Sequence, residues 1–365
     1  MGGTDRFHIV VSAVNIRKGG TLTVLNECLS YLSRREDLSV TALVHDSRLA
    51  LYPSINYIEI PWSVRSWFHR LWCEYVYMHR LSRRLQPVRL WLSLHDTTPR
   101  VIAEKQAVYC HTSFPFMHIR MRDFVMDIKI PLFAMFTRYA YKINAGKNNY
   151  LIVQQNWFRS ALSEKISFPP EKIIVAPPRF TGLDILDKES VVPTFFYPST
   201  ADSHKNFELV CEAAEMLEKK LGKGYFRVVL TLDGLENIYA SWIYDKWNKV
   251  TSISFRGFMS REKLIETYSN ASCLVFVSRS ESWGLPISEF KHSGKAMILA
   301  DLPYAHETAA GAGKVAFVSP DDANELCAAM SDFISGDMSS FSAAPPLTPG
   351  EPYAGSWDEL FGKLI

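Results

Sequence analysis

Short apolar runs alternate with amphipathic segments of helical period along the whole of this 365-residue chain, and that alternation most constrains what it can fold into. Runs that are apolar at nearly every position suit strands buried on both faces, which belong in parallel sheets covered by crossover helices. Residues 7–12, 40–44, 90–94, 106–110 and 150–153 read as strands in the first half, and 194–197, 226–232, 253–255, 273–277, 296–300 and 315–318 in the second. The expectation is an α/β protein with two doubly wound domains, 1–178 and 179–350, joined near Pro177-Pro178, where consecutive prolines interrupt regular structure. Residues 339–353, rich in Ser, Ala and Pro, read as an extended linker. Residues 351–365 carry a last helix, over 356–364, expected to return to the N-terminal domain.

Apolar residues make up 47% of the chain, enough to bury two cores, and the net charge of +2 excludes little by itself. Its distribution says more. Residues 1–180 hold 24 Lys+Arg against 13 Asp+Glu, or +11, and residues 181–365 hold 16 against 25, or −9. The six cysteines, Cys28, Cys73, Cys110, Cys211, Cys273 and Cys327, form no C-x-x-C pair and several lie in apolar runs, which points to a reducing compartment. The chain starts without an apolar signal region and contains no apolar run of membrane-spanning length, so a soluble or peripheral protein is expected.

The richest local signal is Ser280-Glu281-Ser282-Trp283-Gly284-Leu285-Pro286-Ile287-Ser288-Glu289, which follows the strand-like run ending at Val277. Pro286 suits the first turn of a helix, placing Glu281 in the strand-to-helix loop and Glu289 about one turn into the helix. Backbone N–H groups near Gly284 and Leu285 are then donors of a helix start, where phosphate is favoured. Two carboxylates for hydroxyls beside a phosphate cradle suit a nucleotide sugar. No G-x-G-x-x-G sequence supports a dinucleotide instead, and no D-x-D sequence calls for a metal.

In order, the second half presents Pro198-Ser199-Thr200, His204-Lys205-Asn206, Leu232-Asp233-Gly234, Phe255-Arg256-Gly257-Phe258, the two-glutamate segment, and Asp301-Leu302-Pro303-Tyr304 with Glu307. That set resembles family 4 retaining glycosyltransferases of the polysaccharide and O-antigen assembly type. The resemblance extends to Gly19-Gly20, His95-Asp96, Tyr109-Cys110-His111 and Val153-Gln154-Gln155-Asn156-Trp157 in the first half. It implies the GT-B fold, two Rossmann-like domains facing a cleft.

By this resemblance Glu289 binds ribose hydroxyls, Glu281 holds a donor-sugar hydroxyl and Lys205 neutralises the diphosphate as its charge grows in the transition state. His111 contacts the donor sugar, His95 and Asp96 hold acceptor hydroxyls, and the base lies near Phe258. Gly19 and Gly20 border the donor phosphate and the acceptor, where glycine permits close backbone approach. Many members carry an arginine in a Gly-Arg sequence just after the strand. Here Pro198-Ser199-Thr200 stands there, and Ser199 or Thr200 is expected to donate a hydroxyl to the diphosphate. Arg256 and Arg279 are further sources of positive charge and stay outside the catalytic set.

The implied reaction moves a hexose from a nucleotide-diphosphate sugar to a growing glycan, with no cofactor and no metal. With Glu289 at the ribose no nucleophile can be named, so front-face displacement with retention is expected. The Asp301-Leu302-Pro303-Tyr304 pattern leans toward a GDP-mannose-type donor over a UDP-sugar. Residues 62–72, running on to Arg80, Arg83 and Arg84, and residues 114–147 combine aromatics with basic residues. Such surfaces favour anionic membranes and suggest a lipid-linked acceptor at the cytoplasmic face of the inner membrane. Two other classes stay open: a nucleotide-sugar epimerase of the same fold, and a nucleic-acid-binding protein using the basic half. No nucleic-acid motif is present, and no nucleic acid is expected as a partner.

Overall fold

The computed structural model describes residues 6–17, 19–178, 183, 185, 186, 188 and 190–365. Within them the chain divides into two compact units. One takes in Met1–Thr112, Phe136–Arg179 and Pro349–Ile365, the other Ser113–Met135 and Phe180–Thr348. Residues 113–135, between two strands of the first unit in sequence, thus belong to the second.

The first unit is built on seven parallel strands, β1 (Phe7–Ala13), β2 (Leu38–Val44), β3 (Asn56–Glu59), β4 (Leu90–Ser93), β5 (Lys105–Tyr109), β6 (Tyr150–Val153) and β7 (Ile173–Val175), in the order β3-β2-β1-β4-β5-β6-β7. Two of these were not anticipated. β3 is a half-exposed edge strand, and β7 is three residues long just before the paired prolines, so neither carries a long apolar run.

β1 illustrates why the sheet is covered on both faces. Ile9, Val11 and Ala13 enter a core with Val24, Leu25, Cys28 and Leu29 of the helix Gly20–Leu32 and with Leu360, Phe361 and Leu364 of the helix Trp357–Leu364. Val10 enters the opposite core with Met78 and Trp91. Period-2 alternation between two apolar cores demands apolar residues throughout, which is the run seen in the sequence.

The second unit has six parallel strands, β8 (Thr194–Tyr197), β9 (Arg227–Leu230), β10 (Ile253–Phe255), β11 (Cys273–Phe276), β12 (Ala296–Ala300) and β13 (Val315–Val318), in the order β10-β9-β8-β11-β12-β13. The strand order reverses between β8 and β11, as it does between β1 and β4 in the first unit. The carboxyl ends of strands at such a switch point are where open α/β sheets bind ligands.

Residues 339–353 are extended but pinned: Ser342 bridges to Val315 in the second unit, and Tyr353 to Val175 in the first. All six cysteines are buried and unpaired.

Candidate active site

In the second unit, the connections leaving β8 and β11 meet at the switch point. Beyond β8 the chain makes a 3-10 turn, Ser203–Lys205, ended by Asn206 in the left-handed region. The Asn206 amide donates to the carbonyls of Val277 (3.2 Å) and Pro320 (2.8 Å). The Arg279 N–H donates to the His204 carbonyl at 2.8 Å, and the Tyr197 hydroxyl donates to the Lys205 carbonyl. His-Lys-Asn is therefore stapled to the chain that runs on from β11.

This stapling brings the Lys205 ammonium to 2.5 Å from Glu281 Oε1, with both side chains largely buried. His204 beside it is buried, and desolvation together with the charges of Lys205 and Arg279 holds its imidazole well below the usual histidine range, hence neutral. The Phe114 ring meets it edge-on at 4.8 Å.

The loop from Ser278 to Gly284 is fixed from the helix Pro303–Ala309. Tyr304 donates its hydroxyl to the Ser278 carbonyl at 2.8 Å, and Thr308 donates to that of Trp283. The Trp283 indole N–H donates to the Ser288 hydroxyl at 2.9 Å. Gly284 opens the helix Leu285–Lys291 with φ +89°, where a Cβ would meet Ile287 at 3.2 Å and the Tyr304 ring at 3.5 Å. The helix has only seven residues, so the larger fixed positive charge beside this loop is Lys205.

Glu289 lies in that helix with its carboxylate accepting from the Tyr268 hydroxyl at 2.8 Å, and Arg261 stands 3.9 Å away. Burial raises its pKa, opposed by the Tyr268 hydrogen bond and the Arg261 charge. Such a carboxylate gains from hydroxyl donors that replace lost water.

Ser199 is held through its backbone, its N–H donating to Thr231 Oγ1 (2.7 Å) and its carbonyl accepting from the same hydroxyl (2.6 Å). Thr200 donates its hydroxyl to Asp202 at 2.6 Å, so the proton expected on a diphosphate is on a carboxylate here. Phe258 is 93% exposed after Gly257, whose φ is +65° and whose Cβ would fall 2.6 Å from Asp233 Oδ2.

Arg279 is not a free cation. Its guanidinium is buried, donates to both oxygens of Asp123 (2.6 and 3.2 Å), and reaches the Ser203 carbonyl at 3.0 Å. Arg256 is exposed. This leaves Lys205 as the cation drawn up at Glu281.

The first unit carries the remaining expected residues at the carboxyl ends of β1, β4 and β5. Gly19 has φ +72°, and its carbonyl accepts the N–H groups of Leu22 and Thr23 at the start of the helix Gly20–Leu32. His95 is buried with both ring nitrogens engaged, Nε2 at 2.8 Å from Ser12 Oγ and Nδ1 at 3.0 Å from Thr97 Oγ1. Glu74 stands 3.5 Å from Nδ1 and accepts from Arg70 at 2.8 Å. Burial lowers the His95 pKa despite Glu74. Ser12 is fully buried, so this serine, histidine and glutamate form a scaffold without substrate access, and His95 has no ring nitrogen left for an acceptor hydroxyl. Asp96 is likewise engaged, its carboxylate accepting from the N–H groups of His111 and Thr112 after β5 and from the hydroxyls of Thr112 and Tyr141. His111 stacks on Tyr109 at 4.5 Å and 15°, and its Nε2 is buried with no partner among the described residues.

Tyr268, Tyr304, Thr308 and the Asp123–Arg279 pair were not singled out by sequence as site scaffolding. Tyr304 sits inside the Asp-Leu-Pro-Tyr pattern, a signal that could have found it. Asp123 is 156 residues from Arg279 and had none.

Two Rossmann-like doubly wound units, with sheets of seven and six parallel strands, make up the GT-B fold. Residues 184–342 match the family described as glycosyl transferases group 1. Among solved structures, the chain is similar to sucrose-phosphate synthase from Thermosynechococcus elongatus, at 14% identity over 92% of each chain with a TM-score of 0.65. It is also similar to Anabaena HepE in complex with UDP and glucose, at 10% identity over 92% of each chain with a TM-score of 0.64. The lipopolysaccharide outer core galactosyltransferase WaaB aligns at 11% identity over 98% of this chain and 94% of its own, with a TM-score of 0.63. No curated protein matches the sequence.

Proposed function

We propose that the protein is a retaining, metal-independent hexosyltransferase that moves a sugar from a nucleotide-diphosphate donor to a growing, lipid-linked cell-surface glycan. The observation that carries this reading is the Lys205–Glu281 pair at the β8/β11 switch point, with the buried Glu289 in the helix that follows the Glu281 loop, in the unit that matches group 1 glycosyl transferases. Glu289 accepts the ribose hydroxyls and Glu281 a hydroxyl of the sugar. Lys205 shifts from Glu281 to the diphosphate and stabilises the charge that grows as the glycosidic bond breaks, which favours the transition state over the ground state. The leaving phosphate takes the acceptor proton on the same face. The exposed Phe258 offers a ring to the base.

The membrane part of the reading rests on the helix Trp67–Trp72. Trp67, Phe68, Leu71 and Trp72 are exposed, Phe68 by 85%, and Arg65, Arg80, Arg83 and Arg84 are exposed in the same stretch. A contiguous aromatic surface edged by arginines suits the headgroup region of an anionic bilayer. Among the described residues no helix is long and apolar enough to cross a membrane. The proposed association is peripheral, through this aromatic surface, at the cytoplasmic face.

The Asp301–Tyr304 pattern supports GDP-mannose, and the UDP and UDP-glucose complexes of HepE support a UDP-sugar. A thermal-shift panel of GDP, GDP-mannose, UDP, UDP-glucose and ADP on the natural protein, Lys205→Ala and Glu289→Ala tests the donor site. Stabilisation by one nucleotide family, lost in both variants, is expected. No stabilisation by any of them in a folded protein would sink the reading. Proton NMR of the product anomer and turnover in EDTA test retention and metal independence.

A further inference from the structure

We infer that Asp96 is a positioning residue, which fixes the loop carrying His111 and so the imidazole itself for the transfer step. This rests on the reading of His111 as a donor-sugar contact and assigns Asp96 a task other than acceptor binding.

Four donor contacts converge on the Asp96 carboxylate. Oδ1 accepts from the backbone N–H of His111 (2.5 Å), the N–H of Thr112 (2.9 Å) and the Tyr141 hydroxyl (2.9 Å), and Oδ2 accepts from Thr112 Oγ1 (3.0 Å). Each carboxylate oxygen has about two acceptor positions, so Oδ1 is filled and the carboxylate is committed chiefly to the chain that carries His111.

The backbone at Asp96 has φ +68°, in the left-handed region that non-glycine residues adopt uncommonly and Asp more readily than most. It is held on both sides. The Asp96 N–H donates to the Tyr109 carbonyl at 3.3 Å. The His95 carbonyl accepts from Arg70 (3.0 Å) and from the Thr97 N–H (2.8 Å), and Thr97 Oγ1 donates to Glu74 at 2.7 Å. The scaffold around His95 thus holds Asp96, and Asp96 holds His111.

His111 is where this chain of contacts ends. Its ring stacks on Tyr109, while Nε2 is buried with no partner among the described residues. A neutral imidazole that donates through one nitrogen presents the other as an acceptor. A hydroxyl donor satisfies it, provided the ring is held still.

Three variants separate this from loop stabilisation. Asp96→Gly removes the carboxylate while suiting the positive φ, Asp96→Asn keeps an accepting oxygen, and His111→Ala removes the ring. Transfer to water, measured with UDP-glucose and GDP-mannose as probes, needs no acceptor. Asp96→Gly is expected to lower kcat for this hydrolysis about 10- to 100-fold with the donor KM little changed, Asp96→Asn to restore most of it, and the double variant to be no slower than His111→Ala. Unchanged hydrolysis in Asp96→Gly, or additive losses in the double variant, would overturn the assignment. Nitrogen-15 histidine NMR decides it without turnover: His111 should show one ring tautomer in the natural protein and mixed tautomers in Asp96→Gly. An unaltered His111 signal there overturns the positioning role, whereas absent turnover of both probes by the natural protein counts against the transferase reading instead.

Discussion

The ammonium of Lys205 lies 2.5 Å from the Glu281 carboxylate, and each side chain is 15% exposed. The two opposite charges neutralise each other in this arrangement, and on the proposed reading a bound diphosphate would compete with Glu281 for the lysine. The two residues should therefore act as a unit. Lys205→Ala and Glu281→Gln are each expected to lower turnover by about 10²- to 10³-fold. The double variant should fall short of their product by a factor of ten or more. Steady-state kinetics on the four proteins checks this, and fully multiplicative losses would mean the pair is incidental.

Glu289 is buried at some cost to stability. Because burial raises its folded-state pKa, the stabilisation linked to its proton is present below the unfolded value of 4.5 and is lost as pH rises through the folded value. At neutral pH the buried charge opposes folding. Glu289→Gln keeps an acceptor for Tyr268 and should raise Tm by about 2 °C at pH 7 while weakening nucleotide binding. The Tm difference should shrink as pH falls toward 4.5. A lower Tm at pH 7 would contradict this account.

Asp123 and Arg279 form the opposite case. Burial pushes the Asp123 carboxyl up, but the Arg279 guanidinium and the Arg120 N–H more than offset it, and the net shift is downward. Its stabilisation is present above the ordinary value of 3.8 and is lost as pH falls through the folded value. Asp123→Asn leaves a buried guanidinium without its counter-charge and should cost about 3 kcal/mol or more. Arg279→Met on that background should restore part of the loss. Urea melts of the two variants check both statements.

The exposed aromatics of the helix Trp67–Trp72 should govern membrane binding and leave the donor site alone. Replacing Trp67, Phe68 and Trp72 together by Ala is expected to lower partitioning onto phosphatidylglycerol vesicles about tenfold or more. Arg83→Ala and Arg84→Ala should each remove about 1 kcal/mol of salt-sensitive affinity. Co-sedimentation at two salt concentrations measures both, and nucleotide thermal shifts should be unaltered. Equal partitioning of the natural protein onto neutral vesicles would remove the membrane claim.

Both sheets were legible in the sequence because strands buried on two faces must be apolar at nearly every position, as β11 and β12 are throughout and β1 and β8 are but for His8, Ser12 and Thr194. β3 and β7 were missed because an edge strand and a three-residue strand need no such run. Glu281, Glu289 and Lys205 were legible for a different reason: the Gly-Leu-Pro turn fixes their local geometry within a short span. The contacts that hold them were not. Tyr268, Tyr304 and Asp123 act across long separations, and their residue types are as ordinary in a core or on a surface as in a site. Asp96 was noticed for its charge, but its positive φ depends on donors from His111, Thr112 and Tyr141, which the sequence does not bring together.

The distribution of segments between the two units bears on how the chain is made. On the ribosome, Asp123 emerges 156 residues before Arg279, and the first unit receives the helix Trp357–Leu364 only after residues 180–348 of the second. Neither unit can be finished from one uninterrupted stretch of nascent chain, so residues 113–135 must wait, apolar side chains and Asp123 included, for a partner not yet translated. A nascent chain stalled near residue 180 would leave Met117, Asp123 and Ile130, all buried in the finished protein, without the rest of their unit.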